Sequence, residues 1–150
     1  MDIEQMRDTL LHVGGVLDET MYGRPQVITN LENNRRTIYT FVERQNLPNI
    51  IQVFDAANAD SSTSTRPSTT VPQQALFALN SPFMERITTS LTNRVTATDS
   101  ASQVQQLYHY VLGRKPTGRE LELGTDFLQS NPLSNYAQVL LMSNETWFID

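Results

Sequence analysis

The chain has 150 residues, a formal net charge of −5 and a sequence pI of about 4.9. It contains no cysteine, which excludes disulfides, thiolate zinc sites, iron–sulfur clusters and covalently attached haem. The two histidines, His12 and His109, are too few for a three-histidine metal site. We therefore expect neither a metal nor a cofactor. The acidic balance also argues against nucleic acid as a partner.

No run of 18 apolar residues is present, so no membrane span is expected. The acidic, mixed N-terminus from Met1 to Asp8 is unlike a secretory signal peptide. A chain of this length is predicted to form one domain over residues 1–150. Within it, residues 1–70 are expected to supply a helix, a strand and a long loop, and residues 71–150 a helical bundle.

The chain begins with a predicted amphipathic helix that weakens at Gly14-Gly15, where each glycine costs about 1 kcal/mol relative to alanine. Irregular structure follows up to Asn34. The helix prediction depends on apolar residues at helical spacing, which are Ile3, Met6, Leu10, Val13 and Leu17.

The segment Thr37 to Val42 is almost wholly β-branched or aromatic, a composition typical of a strand. Asn46 to Arg66 is predicted to be a long loop. Its first half carries an apolar patch from Ile50 to Phe54, which we expect to lie against the core. Loops of this length without secondary structure are uncommon and are usually functional or disordered.

After residue 70 the pattern becomes helical and remains so. Caps, prolines and glycines mark where each helix starts and stops. The predicted helices begin at Pro72, at Pro82 after the cap Ser81, after Asp99, at the capping box Thr117 to Glu120, and at about Ser134, with a final turn after Ser143. The predicted fold is therefore mainly α: a compact bundle of five or six helices, one long loop, and at most a short strand or hairpin.

The C-terminus ends in two large aromatic residues, Trp147 and Phe148. Such side chains are rarely left in water, because each can bury 150–250 Å². We expect Trp147 to be buried against the helix that contains Leu107 and Val111, closing the bundle.

Several motifs in chain order resemble the C-terminal domain of unknown function, family 1553, of planctomycete-type multidomain proteins. Taken together and in chain order, these motifs are specific for that family, whereas the motif Leu-Gly-Arg-x-Pro alone is not. The motifs are Arg35-Arg36-x-Ile38-Tyr39-x-Phe41-Val42, Phe54-Asp55, Arg66-x-x-Thr69-Thr70-x-Pro72-x-Gln74-Ala75-Leu76, Leu79-Asn80, Leu107-Tyr108-x-x-Val111-Leu112-Gly113-Arg114-x-Pro116-x-x-x-Glu120 and Ser143-Asn144-Glu145.

The resemblance implies no established activity and therefore supplies no catalytic residue. It implies that the chain is the C-terminal portion of a larger protein that often carries a cytochrome c-like haem domain and sometimes a lectin-like domain. The expected partners are those other domains, with a carbohydrate or an anion as candidate ligands. The expected location is periplasmic, cell-surface or extracellular.

Three arginines are candidate ligand-binding residues. Arg35 and Arg36 could clamp a carboxylate or sulfate through bidentate hydrogen bonds, or could simply flank an edge strand or bond loop carbonyls. Arg66 could join them in one anion or sugar site. Clustering of the three guanidinium groups around one pocket would favour a site, and dispersal would exclude it.

Four further residues surround the long loop and the helix after it. Asp55 beside a buried phenylalanine could act as an acid or base, or could pair with Arg66 to close the loop. Thr70, Gln74 and Asn80 lie near the ends of one helix, where they could cap it or help to bind an anion.

The favoured function is a non-catalytic structural or interaction module of a larger secreted or surface protein. The alternative is an accessory or catalytic part of a polysaccharide-acting hydrolase. It rests on the lectin-like domains that the resemblance implies and on Asp55, Arg66 and the long loop, although glycosidase chemistry would need a second carboxylate as well. The third hypothesis is that the protein is a small anion- or sugar-binding domain.

Overall fold

The computed structural model describes residues 2–43, 45–54, 56, 64 and 72–147, and these form a mainly helical bundle, as the sequence predicts. Six of the helices have nine residues or more. The helices are α1 (Ile3–Val13), α2 (Asn49–Val53), α3 (Pro72–Asn80), α4 (Pro82–Arg94), α5 (Ser100–Leu112), α6 (Gly118–Leu128), α7 (Leu133–Leu141) and α8 (Asn144–Trp147).

The helices begin and end at capping residues, prolines and glycines that are recognisable in the sequence. The Ser81 hydroxyl accepts the Met84 N–H at 3.2 Å, and Pro82 occupies the first turn of α4. The Asp99 carboxylate accepts the Ser102 N–H at 2.8 Å at the start of α5. Helix α5 ends at Gly113, whose φ of 66° is the left-handed conformation that favours glycine. Short-range chemistry therefore decides these ends.

One apolar core joins the helices. Helix α4 packs against α7 and α1, and α5 packs against α6, α7 and α8. The fully enclosed apolar side chains of this core come from α1, α4, α5 and α7, and include Leu10, Leu11, Met84, Ile87, Leu91, Val104, Leu107 and Leu141. Within the described ranges, no helix is both long and apolar enough to cross a membrane.

Helix α6 approaches its neighbours closely at Gly124. A Cβ at this position would lie 2.5 Å from the Tyr136 hydroxyl oxygen and 2.8 Å from Val104 Cγ2. Only the absence of a side chain allows α6 to sit this close to α5 and α7, so Gly124 fixes the packing distance.

The predicted strand over Thr37 to Val42 is wrong. Thr37–Tyr39 forms a short 3₁₀ turn, and the described residues contain no sheet, only two isolated bridges that pair Asp18 with Arg35 and Gln26 with Thr40. The backbone N–H and the hydroxyl of Thr37 both donate to Asp8 Oδ1 at 2.7 Å. Because side chains of α1 satisfy this backbone, no neighbouring strand is needed.

The start of the predicted long loop is a helix. Asn49–Val53 forms α2, and Ile51 and Phe54 are buried in the core, which confirms that this apolar patch lies against it. Most of the second half of the predicted loop lies outside the described residues.

The C-terminal turn packs on the bundle. The Trp147 indole is partly buried, stacks on the Phe54 ring at 5.9 Å between centroids, and donates its N–H to Leu141 O at 2.7 Å. Helix α8 contacts α5, the helix against which Trp147 was predicted to be mostly buried, but the indole is only partly buried and the ring stacked on it is Phe54, just after α2. Phe148 lies outside the described residues.

Candidate interaction surface

Residues 18–43, here called the loop, run irregularly between α1 and α2 and are attached to α1 by a buried arginine. The Arg7 side chain is 2% exposed. Its Nη1 donates to Arg35 O at 2.9 Å and to the Thr37 hydroxyl at 3.2 Å, and its Nη2 donates to Asn33 O. One guanidinium thus donates to two backbone carbonyls and one hydroxyl of the loop.

A second buried arginine organises the other half of the loop. Arg35 Nη1 donates to Arg24 O at 3.1 Å, and Nη2 donates to Thr20 O at 3.0 Å and to Tyr22 O. Its guanidinium lies over the Tyr39 ring, 4.3 Å from the ring centroid. The planar fork of arginine suits this combination of several carbonyls and one aromatic face.

The buried amide of Asn33 joins the two arginine clusters. Its Nδ2 donates to Val27 O at 3.2 Å, and its Oδ1 accepts the Arg35 N–H at 3.1 Å. Nearby, Tyr22 has a φ of 65°, a left-handed conformation that a large side chain seldom adopts. The contacts of Arg35 therefore keep the tip of the loop in one specific, strained shape.

This ordered loop exposes large apolar side chains. Gln26 and Thr40 form an isolated parallel bridge, which places the exposed residues Val27 and Phe41 on adjacent segments of the loop. Tyr22 is 77% exposed and Ile38 is 70% exposed. We call the exposed large apolar residues of the loop the loop face: Met21, Tyr22, Val27, Leu31, Ile38, Phe41 and Val42.

The structure does not place the guanidinium groups of Arg35 and Arg36 around one binding site. Arg35 is buried on the carbonyls of residues 20–24, whereas Arg36 is half exposed and faces Asp8, with its Nε 3.6 Å from Oδ2. Arg35 therefore bonds loop carbonyls, one of the structural roles expected for it. The third arginine of the predicted anion or sugar site, Arg66, lies outside the described residues.

Only two of the other four predicted site residues lie in the part of the chain that the structure describes. Asp55 and Thr70 lie outside the described residues, so the pairing of Asp55 with Arg66 remains a hypothesis. Gln74 of α3 donates its Nε2 to Val53 O at 3.1 Å, which links α3 to α2. Asn80 is the last residue of α3 and is exposed.

Two of the motifs meet in an ion-pair cluster at the other end of the bundle. Arg114, just after α5, binds the Glu120 carboxylate at 2.8 and 2.9 Å and the Glu145 carboxylate at 2.6 and 2.7 Å. The Arg114 hydrogen bonds lower the pKa of Glu120 to about 2 and also lower the pKa of Glu145. Glu120 additionally accepts the Thr117 N–H in the capping box. The cluster joins α5, α6 and α8 and has a structural role.

The sequence pattern does not single out the residues that shape the loop. Arg7, Asp8 and Asn33 are polar residues of an N-terminal half in which apolar spacing is the main signal. A signal exists for Arg7: it lies four residues after Ile3 and three before Leu10, on the apolar stripe of α1. A charged residue on such a stripe must find buried partners.

The sequence matches no curated protein and no solved structure. A family model does match residues 1–128, which include every motif quoted above except Ser143-Asn144-Glu145. The family is described as PSD1, a protein family of unknown function, DUF1553. Because the match covers most of the chain, including α1, the loop and α3 to α6, the protein belongs to the PSD1 family of unknown function, DUF1553.

Proposed function

We propose that this protein is a non-catalytic interaction module of a larger secreted or surface protein, and that the loop face packs against another domain of that protein. The observation that supports the proposal most strongly is the concentration of exposed apolar side chains on one ordered, irregular segment. Contiguous exposed apolar residues on a soluble domain are typical of interaction sites.

The way the loop is held supports the same interpretation. A loop serving only as a connection would not need two buried guanidinium groups, since desolvating a charge is costly even when it is hydrogen-bonded. Arg7 and Arg35 nevertheless bind six acceptors in residues 20–37. A rigid loop loses little conformational entropy on binding, so its apolar side chains are preorganised for a partner.

The hydrolase alternative has less support among the described residues. Asp55, its candidate acid or base, lies outside them. Two cavities in the described part, of about 300 and 390 Å³, have no Asp or Glu among their described lining residues. Paired carboxylates at a substrate cavity are what glycoside hydrolysis requires.

Site-specific photo-crosslinking in the natural host tests the proposal. The photoreactive residue p-benzoylphenylalanine would replace Ile38 in the loop face of the protein expressed from its own gene. The matched control is Leu123 on α6, which is 55% exposed and lies outside the loop face. We expect cross-linked peptides from another part of the same polypeptide at position 38 and none at position 123.

Substitution of the loop face provides the second measurement. Ile38→Ser and Phe41→Ser should leave the free energy of unfolding within about 0.5 kcal/mol of the wild type, because both side chains are exposed. They should nevertheless abolish the cross-link formed from a photoreactive residue at position 22. Equal cross-linking from positions 38 and 123, or cross-links that survive both substitutions, would refute the proposal. Cross-links to a separate protein would refute the choice of partner.

A further inference from the structure

Three neighbouring helices of the bundle carry no charged residue. Charged residues make up 18% of the sequence, yet residues 45–54, 67–84 and 127–144 contain no Asp, Glu, Lys or Arg. The helices within these runs are α2, α3 and α7. Helix α5 is also uncharged, but α6, α7 and α8 pack against it and none of its large apolar side chains is exposed.

The three uncharged helices adjoin one another, with α3 in the middle. Gln74 of α3 donates its Nε2 to Val53 O of α2 at 3.1 Å, and Gln138 of α7 donates its Nε2 to Leu79 O of α3 at 2.9 Å. An open groove of about 390 Å³ runs between α2 and α3, and all of its described lining residues are uncharged. We call the outer side of α2, α3 and α7 the uncharged face.

The uncharged face exposes large apolar side chains. Among the described residues outside the loop, four such side chains are exposed, and Leu76, Leu79 and Val139 of this face are three of them, each more than 50% exposed. The fourth, Leu123 on α6, is next to Glu122. Leu76 and Leu79 are three residues apart and therefore share one side of α3. Exposed apolar residues without charged neighbours are typical of the centre of a protein interface.

The charge distribution favours a second copy of the same chain as the partner. Each copy has a formal net charge of −5, so two copies repel each other where their charged surfaces meet. The loop face is poorly suited to self-association, because the exposed residues Glu19, Glu32 and Glu43 are close in sequence to its apolar residues. The uncharged face brings no like charges into contact, so close repulsion does not oppose apolar burial there.

The polar groups of the uncharged face are also self-complementary. A side-chain amide has both donors and an acceptor, so it can pair with an identical amide across a two-fold axis, where the same surface lies on both sides. The three helices have about 17 exposed or half-exposed side chains, just below the 20–30 residues that each side of a standard interface contributes. This size suits a weak, reversible dimer. The exposed amides are those of Asn49, Gln52, Gln73, Asn80 and Asn135.

We propose that two copies of this chain associate through the uncharged face, with α3 packed against α3 across a two-fold axis and Leu76 of each copy against Leu79 of the other. The proposal does not rest on the function proposed above, because the uncharged face and the loop face share no residue.

Sedimentation equilibrium of the full 150-residue chain tests the proposal. We expect a reversible equilibrium between the 17.0 kDa chain and a species of twice that mass, with a dissociation constant in the micromolar range. Added salt should strengthen the association, because it screens the repulsion between the two acidic copies. A chain that is wholly monomeric at about 200 μM, or an association that weakens as salt is added, would overturn the proposal.

Single charges on α3 locate the contact. Leu79→Glu and Leu79→Lys should each raise the dissociation constant at least 10-fold, because each places like charges on both sides of the axis. An equimolar mixture of the two variants should associate at least 5-fold more tightly than either alone, since opposite charges then face each other. The control Leu123→Glu, at a leucine of similar exposure on α6, should stay within 2-fold of the wild type. Wild-type association of both Leu79 variants, or a mixture no tighter than its components, would refute the α3 contact.

Two further measurements separate this face from the loop face and from effects on folding. Ile38→Ser and Phe41→Ser should leave the association unchanged, and its loss in these variants alone would show that the copies meet through the loop face. In the wild type, isotope-filtered nuclear magnetic resonance on a mixture of ¹³C-labelled and unlabelled copies should connect the Leu76 methyl groups of one copy to Leu79 of the other. Intermolecular contacts confined to residues outside α2, α3 and α7 would contradict the proposal.

Discussion

Replacing Arg7 with methionine should destabilise the protein strongly, because the buried guanidinium connects α1 to the loop. The substitution retains a long, flexible side chain that can fill much of the same space. It removes the donors to Arg35 O, Thr37 Oγ1 and Asn33 O, and leaves these acceptors in a site that water does not reach. The perturbation therefore removes hydrogen bonding more than volume.

The expected magnitude follows from these contacts. A buried polar group that loses its partner costs about 1–3 kcal/mol, and hydrogen bonds to charged groups are worth about 1.5–3 kcal/mol each. The three acceptors share one donor group, so their costs do not add fully. Removal of the charge also relieves the desolvation that lowers the pKa of Arg7. We expect a net loss of about 3–5 kcal/mol, a large part of the 5–15 kcal/mol typical of a domain.

Urea unfolding followed by Trp147 fluorescence measures this loss, since Trp147 is the single tryptophan and lies in the opposite half of the chain. Hydrogen exchange provides a second readout with spatial resolution. In Arg7→Met, amide exchange should accelerate in residues 18–43 before it does in α4, α5 and α7, because the loop loses its attachment while the helical core keeps its apolar contacts.

The control is Arg119→Met, the same chemical change at a side chain that is 78% exposed and pairs with Glu122 at 3.8 Å. Exposed pairs contribute about 0–1 kcal/mol, so this variant should unfold almost as the wild type does. If Arg7→Met stays within 1 kcal/mol of Arg119→Met, the buried hydrogen bonds contribute far less than argued here and the explanation of the loop is wrong.

Three further predictions concern the helical half. Gly124→Ala should lower the free energy of unfolding by about 1–3 kcal/mol, because its Cβ would overlap side chains of α5 and α7. The control Gly118→Ala, whose Cβ would have no atom within 4 Å, should be neutral or stabilising. Urea unfolding midpoints distinguish the two variants. Because the pKa of Glu120 is lowered to about 2, its contribution to stability is complete above the unfolded value of about 4.5 and is lost as the pH falls towards 2. The variant E120Q should therefore show a weaker decline in urea midpoint over that range, and an unchanged decline would refute the ion-pair assignment. Phe54→Ala should shift the emission maximum of Trp147 to longer wavelength by removing the stacked ring, and an unshifted maximum would show that the ring does not shield the indole.

The main departure from the predicted structure lies in residues 35–42. Their β-branched and aromatic composition indicates a strand, because strand propensity reflects how side chains pack on a pleated surface. Here Arg7 and Asp8, 28 to 30 residues away, bind this backbone and replace the partner strand. Composition describes the segment itself, and it contains no information about which distant side chain will satisfy its backbone.

The sequence alone determines the helices of this protein. Apolar spacing, the caps at Ser81, Asp99 and Thr117, and the glycine at 113 act within a few residues, so α1 and the long helices from α3 to α7 are readable without a structure. The tertiary structure decides the burial of Arg7 and Arg35 and the exposure of the loop face. Each of these depends on groups that are distant in sequence and meet only in the folded chain, where burial fixes what every charge and N–H group must contact.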